Sequence, residues 1–307
     1  MSELTTFEPP PFDATAPLVA SGNLRRRQFI SRLVQVGATA CAVAAVGVLV
    51  LVTVAVLTRG ARSLSLGFLI HDPPQVISGG GGGIASAIVG TSLIVALATV
   101  IATPIGILCA LYLVEFSPAR SRPSQLLQLA LDMLQGLPSV VVGLVILGLI
   151  VVPEHADSGF AASVALSVIM LPLIARTTQE VLRTVPQALR DASDALGVDR
   201  WRAVVTVIIP SALSGIVTGT ILAIARAAGE TAPVLLVDGT FSNQTTIQIF
   251  GHAVPNLSVL IYELFDEPSA TSVQRAWGAA LVLLVLILIA NIGARLLLAR
   301  NRRRMGL

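Results

Sequence analysis

Arg226 and Glu230 stand four residues apart inside a long apolar stretch, and Arg176 and Glu180 repeat that spacing in the stretch before it. On a helix this spacing puts each pair on one face, within reach of each other. A charge at the centre of a spanning helix costs about 2.5–3.5 kcal/mol on insertion scales, so these residues need a reason. An internal ion pair is one reason, and it suits Arg176 and Glu180, which lie near the inner end of their stretch and can reach the interface. The other reason is anion handling. A guanidinium presents a planar fork of donors that matches two phosphate oxygens at once, and it keeps its charge at physiological pH. Arg226, the deeper arginine, is expected to line a path for such an anion. Glu230 is expected to compete for the guanidinium, so that the anion is not held too tightly to move on. Ser139 follows an interruption at Gly136 and Pro138. Proline leaves a carbonyl unpaired one turn earlier, which lipid tolerates only against protein or a wet cavity. Ser139 therefore joins the candidate path, with a plain kink as the competing reading.

All 20 basic residues are arginine. Without lysine no phosphate-cradling Gly-x-x-x-x-Gly-Lys-Ser/Thr loop is possible, so the chain cannot itself be an ATP-hydrolysing engine. The run Gly79–Gly83 lacks that lysine and reads as a flexible entry to the next apolar stretch. His71, His155 and His252 are scattered and form no metal or catalytic set. Cys41 and Cys109 lie in apolar runs with no ligand spacing, and are expected to be small buried hydrophobes. The net charge of +3 is spread beside apolar runs, which excludes a nucleic-acid-binding domain.

Mean hydropathy is +0.85 and only 12% of residues are charged. A spanning helix needs roughly 20 apolar residues, and six stretches qualify: Leu33–Leu57, Ile84–Val114, Leu126–Val152, Phe160–Val181, Val204–Val237 and Trp277–Leu298. The second and fifth exceed one span and must tilt or kink. Residues 1–24 are expected to be a disordered tail, 25–58 a first transmembrane helix with a basic flank, 79–300 the transmembrane core and 301–307 a basic tail. Positive residues are retained in the cytoplasm. Arg25–Arg27 and Arg32, Arg120 and Arg122, the arginines from Arg183 to Arg202, and Arg300–Arg304 all fall on one side if the N-terminus is inside. Both termini are then cytoplasmic. The longest outer connection, residues 238–275, carries apolar patches expected to include a short interfacial helix, serving as a docking or gating surface or as a plain connector.

Residues 184–203 form a polar cytoplasmic loop between the fourth and fifth stretches. Pro186 suits a first helical turn, and Gly197 can take the left-handed conformation that ends the helix. Asp191, Ala192, Ser193, Gly197, Val207, Ile209 and Pro210 follow the spacing of the Glu-Ala-Ala–Gly signature of ABC-importer permeases, with Asp for Glu and Ser for the second Ala. The stretches Gly83–Ile84, Ala87–Thr91, Pro104–Gly106, Tyr112–Glu115, Gly136–Ser139, Arg176–Glu180, Ile216–Gly219, Ala225–Pro233, Ile261–Tyr262 and Ala276–Trp277 resemble the A-type permease subunits of Pst phosphate importers, over about Gly79 to Leu298.

The resemblance implies an all-α integral membrane fold of six transmembrane helices with a cytoplasmic coupling helix, the type I ABC-importer permease architecture, in the bacterial inner membrane. It implies a permease of an ATP-driven phosphate importer, not an enzyme. Asp191, Ala192, Ser193, Asp194, Leu196 and Gly197 would couple to an ATPase, and Thr231 would join Arg226, Glu230, Arg176, Glu180 and Ser139 on the substrate path. The implied partners are a C-type permease, an ATPase dimer, an external phosphate-binding protein and lipid, with no nucleic acid. ATP and Mg would be held by the ATPase, and no cofactor by this chain. The alternatives are a permease for molybdate or a phosphonate, or an ion-coupled secondary transporter.

Overall fold

A backbone in lipid can satisfy its polar groups within one segment only by bonding to itself as a helix. The computed structural model describes residues 24–73, 82–118, 121–239 and 248–305, and every regular element among them is helical. Residues 1–23 of the expected tail, the first glycines of the Gly79–Gly83 run, Arg120 and residues 306–307 lie outside the described residues, while Leu24, the last residue of that tail, opens the first helix.

The chain divides into two units, residues 1–54 and 55–307. The first holds most of α1 (Leu24–Gly60), whose side chains are exposed along most of its length, Cys41 among them. The second unit continues with α2 (Leu66–Ile70) and α3 (Ala85–Leu111), which runs on into a π turn, Tyr112–Phe116. Next come α4 (Arg122–Gly136), α5 (Ser139–Ile146), a π turn over Leu147–Val151 and the short α6 (Val152–Glu154). After α7 (Gly159–Thr184) and α8 (Gln187–Ala195), α9 (Arg200–Ala203) passes through a π turn, Val204–Ile208, into α10 (Ile209–Ala228). The chain closes with α11 (Ala232–Val237), α12 (Leu257–Asp266) and α13 (Ala270–Met305), so the last helix runs on into the expected basic tail.

Among the described residues five helical runs are long and apolar enough to span a membrane: Arg26–Ser63, Ala85–Phe116, Gly159–Thr184, Arg200–Ala228 and Ala270–Gly293. The third expected stretch is instead a bent pair, Arg122–Gly136 and Ser139–Glu154, meeting at 103°. The break has a local cause. A residue before proline is pushed out of the helical region, and Leu137 sits at φ −68°, ψ 133° ahead of Pro138. The fifth expected stretch, Val204–Val237, is likewise not continuous. Its helix ends at Ala228 and resumes at Ala232. Pro233 has no N–H to give the Gly229 carbonyl, so the ladder cannot run through.

Helices α3, α7 and α10 pack through small residues. A Cβ at Gly215 or Gly219 would overlap Val181 or Thr177 of α7, and one at Gly106 would press on Ile174. With Ala223 and Ala227 fully buried, the stripe Gly215–Gly219–Ala223–Ala227 is an intrachain seam, close-packed as small residues allow in lipid. Helix α12, expected at the interface, packs into the bundle: Leu257, Leu260 and Leu264 join Phe68, Ile84 and Ala276 in one cluster. Both cysteines are free thiols, Cys109 half-buried and Cys41 exposed, and neither is the buried hydrophobe expected. Cys41 shares the exposure of most of α1, and Cys109 is only partly covered on α3.

Candidate functional site

The α10–α11 break places the first group of candidates. Arg226 is in the last turn of α10, a position where the helix dipole favours a cation. Glu230 lies beyond the helix end, in a turn closed by its N–H on the Ala227 carbonyl at 3.1 Å. The expected one-face helical geometry is therefore absent, yet the turn still brings Glu230 Oε1 to 3.5 Å from Arg226 Nε. The arginine side chain is 60% exposed and the glutamate 18%. Thr231 N-caps α11, its carbonyl accepting from Leu235 N–H. A narrow cleft beside Glu230 is lined by Thr91, Asn256 and Ser258. Ser258 Oγ donates to the Ala228 carbonyl at 3.0 Å, satisfying one of the orphan acceptors of the α10 end.

Arg176 does not pair with Glu180, which is exposed one turn further along α7. It pairs across to Asp132 of α4, and Gln128, with its amide oxygen turned toward the guanidinium, also accepts from it. The tertiary fold overrides the local spacing because α4 lies against α7 and offers a closer carboxylate. Ser139 is half-buried as the first residue of α5, just past the bend. The contacts Gly215 to Val181 and Gly219 to Thr177 set an antiparallel register that puts Arg226 level with Met170. At about 1.5 Å per residue, the two arginines are about 9 Å apart along the bundle. They form two stations, not one cluster.

The loop after α7 folds as its sequence dictates. Pro186 is the N-cap of α8, one place before the expected first turn. Gly197 adopts φ +66°. Its N–H donates to the Asp194 carbonyl at 3.0 Å and Val198 N–H donates to the Ser193 carbonyl at 3.1 Å, the paired bonds of a Schellman cap. Ser193 is buried and donates to the Leu189 carbonyl at 2.9 Å. Asp191, Ala192, Asp194, Leu196 and Trp201 are exposed, Leu196 at 82%.

Two features escaped sequence reasoning. Glu115 and Arg190 form a buried ion pair, Nη2 to Oε1 at 2.7 Å; the only sequence signal was an acid at the end of an apolar run and an arginine 75 residues on. Asp238, 2% exposed, accepts Val254 N–H at 2.8 Å, and its Oδ2 has no partner among the described residues. It helps hold residues 248–254, whose Ile249 and His252 carbonyls accept from Phe160 and Gly159 at the start of α7.

Burial pushes the Asp238 carboxyl up to about 8, against the lowering effect of the Val254 N–H, and Asp157 raises it further. The folded protein therefore binds one more proton than the unfolded chain between the ordinary value of 3.8 and about 8. Stability is predicted to fall as pH rises through that window and to level off above it. Asp238→Asn, whose amide oxygen can still accept from Val254, is expected to flatten the trend. Thermal unfolding midpoints at pH 5 and pH 9 check this, and an equal slope in the variant refutes it.

The fold is shared with the solved inward-facing MetNI methionine ABC transporter, at a TM-score of 0.56 and 19% identity, over 71% of this chain and 94% of that one. The family model for binding-protein-dependent transport system inner membrane components matches residues 102–303. Similar proteins include phosphate transport system permease protein PstA 1 of Mycobacterium tuberculosis, 39% identical over 74% of this chain and 73% of its own length. PstA of Yersinia pestis is 36% identical over 80% of this chain and 82% of its own length. This chain belongs to the binding-protein-dependent inner membrane component family and, within it, to the PstA permeases. It is a multi-pass inner-membrane protein.

Proposed function

We propose that this chain is the A-type permease subunit of an ATP-driven phosphate importer. The observation that carries the reading is similarity to PstA permeases across most of both chains. The bent pair α4–α5 counts as one span, which makes six in all, and the arginine-rich loops face the cytoplasm with both termini. The chain lines half of the translocation path, opposite a C-type permease. An external binding protein delivers phosphate, and two ATPase subunits carry ATP and Mg. In this orientation Arg226 stands near the outer end of α10 and Arg176 further in. Each arginine is already engaged by a carboxylate, Glu230 and Asp132. An entering phosphate competes with that partner for the guanidinium, which keeps binding weak enough for onward transfer. Ser139 and Thr231, at the two helix breaks, add hydroxyls along the path, and exposed Glu180 marks its inner end.

Helix α8 is the coupling helix. Its support is the Schellman-capped turn that holds Leu196 and Trp201 out into solvent. Co-reconstitution with the partner subunits in proteoliposomes is expected to give ATP-dependent uptake of radiolabelled phosphate, unaffected by collapsing ion gradients. Preference for molybdate or a phosphonate would move the reading to another oxyanion, and gradient-driven uptake without the ATPase would overturn it.

A further inference from the structure

Arg190 makes bonds that no solvent-facing helix needs. It is a residue of α8, yet its side chain is only 15% exposed and reaches back to the ends of two other helices. Nη2 and Nε contact Glu115, at 2.7 Å and 3.3 Å to Oε1. Nη2 also donates to the Leu182 carbonyl at 2.9 Å, and Nη1 donates to the Val185 carbonyl at 2.7 Å. Leu182 and Val185 lie at the C-terminal end of α7, where the Leu182 carbonyl keeps only a 3.3 Å bond from Val185 N–H because Pro186 has no N–H to give. Glu115 lies in the π turn that ends α3, with its side chain 1% exposed. One guanidinium thus caps α7, neutralises the buried carboxylate of α3, and does both from α8.

We infer that the Arg190 guanidinium is the rigid tie through which a displacement of α8 is passed to α3 and α7. The inference rests on the reading of α8 as the coupling helix. On the α7 side the covalent path is a poor carrier of that motion. The covalent link from α7 to α8 is Val185–Pro186, a non-helical hinge. A hinge transmits direction poorly, whereas a fork held at three points fixes both position and angle. If α8 moved without the tie, Glu115 would be left buried and unpaired and the end of α7 uncapped, so the three elements move together. The tie also reaches the inner substrate station by continuous helix, since Arg176 lies on α7 only about two turns before that helix ends at Thr184.

The test uses the whole importer, purified as the assembled complex and reconstituted, and reads phosphate imported per ATP hydrolysed, a ratio that lowered expression does not change. Arg190→Gln is expected to leave ATP hydrolysis within about twofold of wild type while the ratio falls at least about tenfold. A ratio equal to wild type overturns the inference. As a second arm, Glu115→Cys with Arg190→Cys, in a background lacking Cys41 and Cys109, is expected to be uncoupled until a short bifunctional thiol reagent bridges the pair and restores the ratio. Bridging without recovery overturns the inference, and so does failure of both variants to assemble, which would make the pair a folding determinant alone. A wild-type complex that imports no phosphate in the same preparation counts against the function and not against the tie.

Discussion

An importer carrying Leu196→Asp and Trp201→Asp is expected to lose at least about a hundredfold in ATP-driven phosphate uptake while its permease still assembles. Both side chains are apolar and solvent-exposed, at 82% and 58%. They flank a turn whose shape depends on Gly197 and backbone bonds to Ser193 and Asp194, so their replacement leaves the fold of the loop intact. Buried anchors at protein interfaces commonly cost about 2 kcal/mol or more each when truncated. Two such losses amount to about three powers of ten in affinity, and carboxylates add an unpaired charge to a desolvated surface. Co-purification of the ATPase and uptake in proteoliposomes measure the effect. Full uptake by the double variant would show that α8 docks elsewhere or not at all.

Arg226→Gln is expected to lower phosphate uptake by about tenfold to a hundredfold, as the loss of a charged hydrogen bond of about 1.5–3 kcal/mol implies. The residue is exposed in the last turn of α10 and packs into no core cluster, so the fold has little to lose. Glu230→Gln should act in the opposite sense on binding. With the competing carboxylate removed, half-saturation moves to lower phosphate while the maximal rate falls, because release slows. The two kinetic parameters, measured over a range of phosphate concentrations, separate these outcomes. Unchanged kinetics in both variants would remove the α10–α11 break from the path.

Local chemistry alone accounts for much of this protein. Gly197 was readable as a left-handed cap because only a residue without a Cβ takes φ +66° at little strain. Pro138 was readable as an interruption, though the 103° turn it allows was not. Arg226 and Glu230 do not share a helix face because Pro233 ends the helix from the C-terminal side. The Arg176 to Glu180 pairing failed for a different reason. Spacing along one helix says which residues can meet, not which partner a neighbouring helix offers, and Asp132 comes from 44 residues away.

The linear chain was thus enough to tell which segments are apolar enough to enter lipid, that Pro138 interrupts the third of them, and that a polar segment with a left-handed turn lies between two of them. Those outcomes follow from transfer free energies and backbone sterics acting over a few residues. Helix packing alone settled that Glu115 meets Arg190, that Asp132 meets Arg176, and that Asp238 is buried beneath residues 248–254. These pairings depend on how far one helix slides past another, and such registers are set by close contacts like Gly106 on Ile174 or Gly219 on Thr177, which no linear pattern specifies.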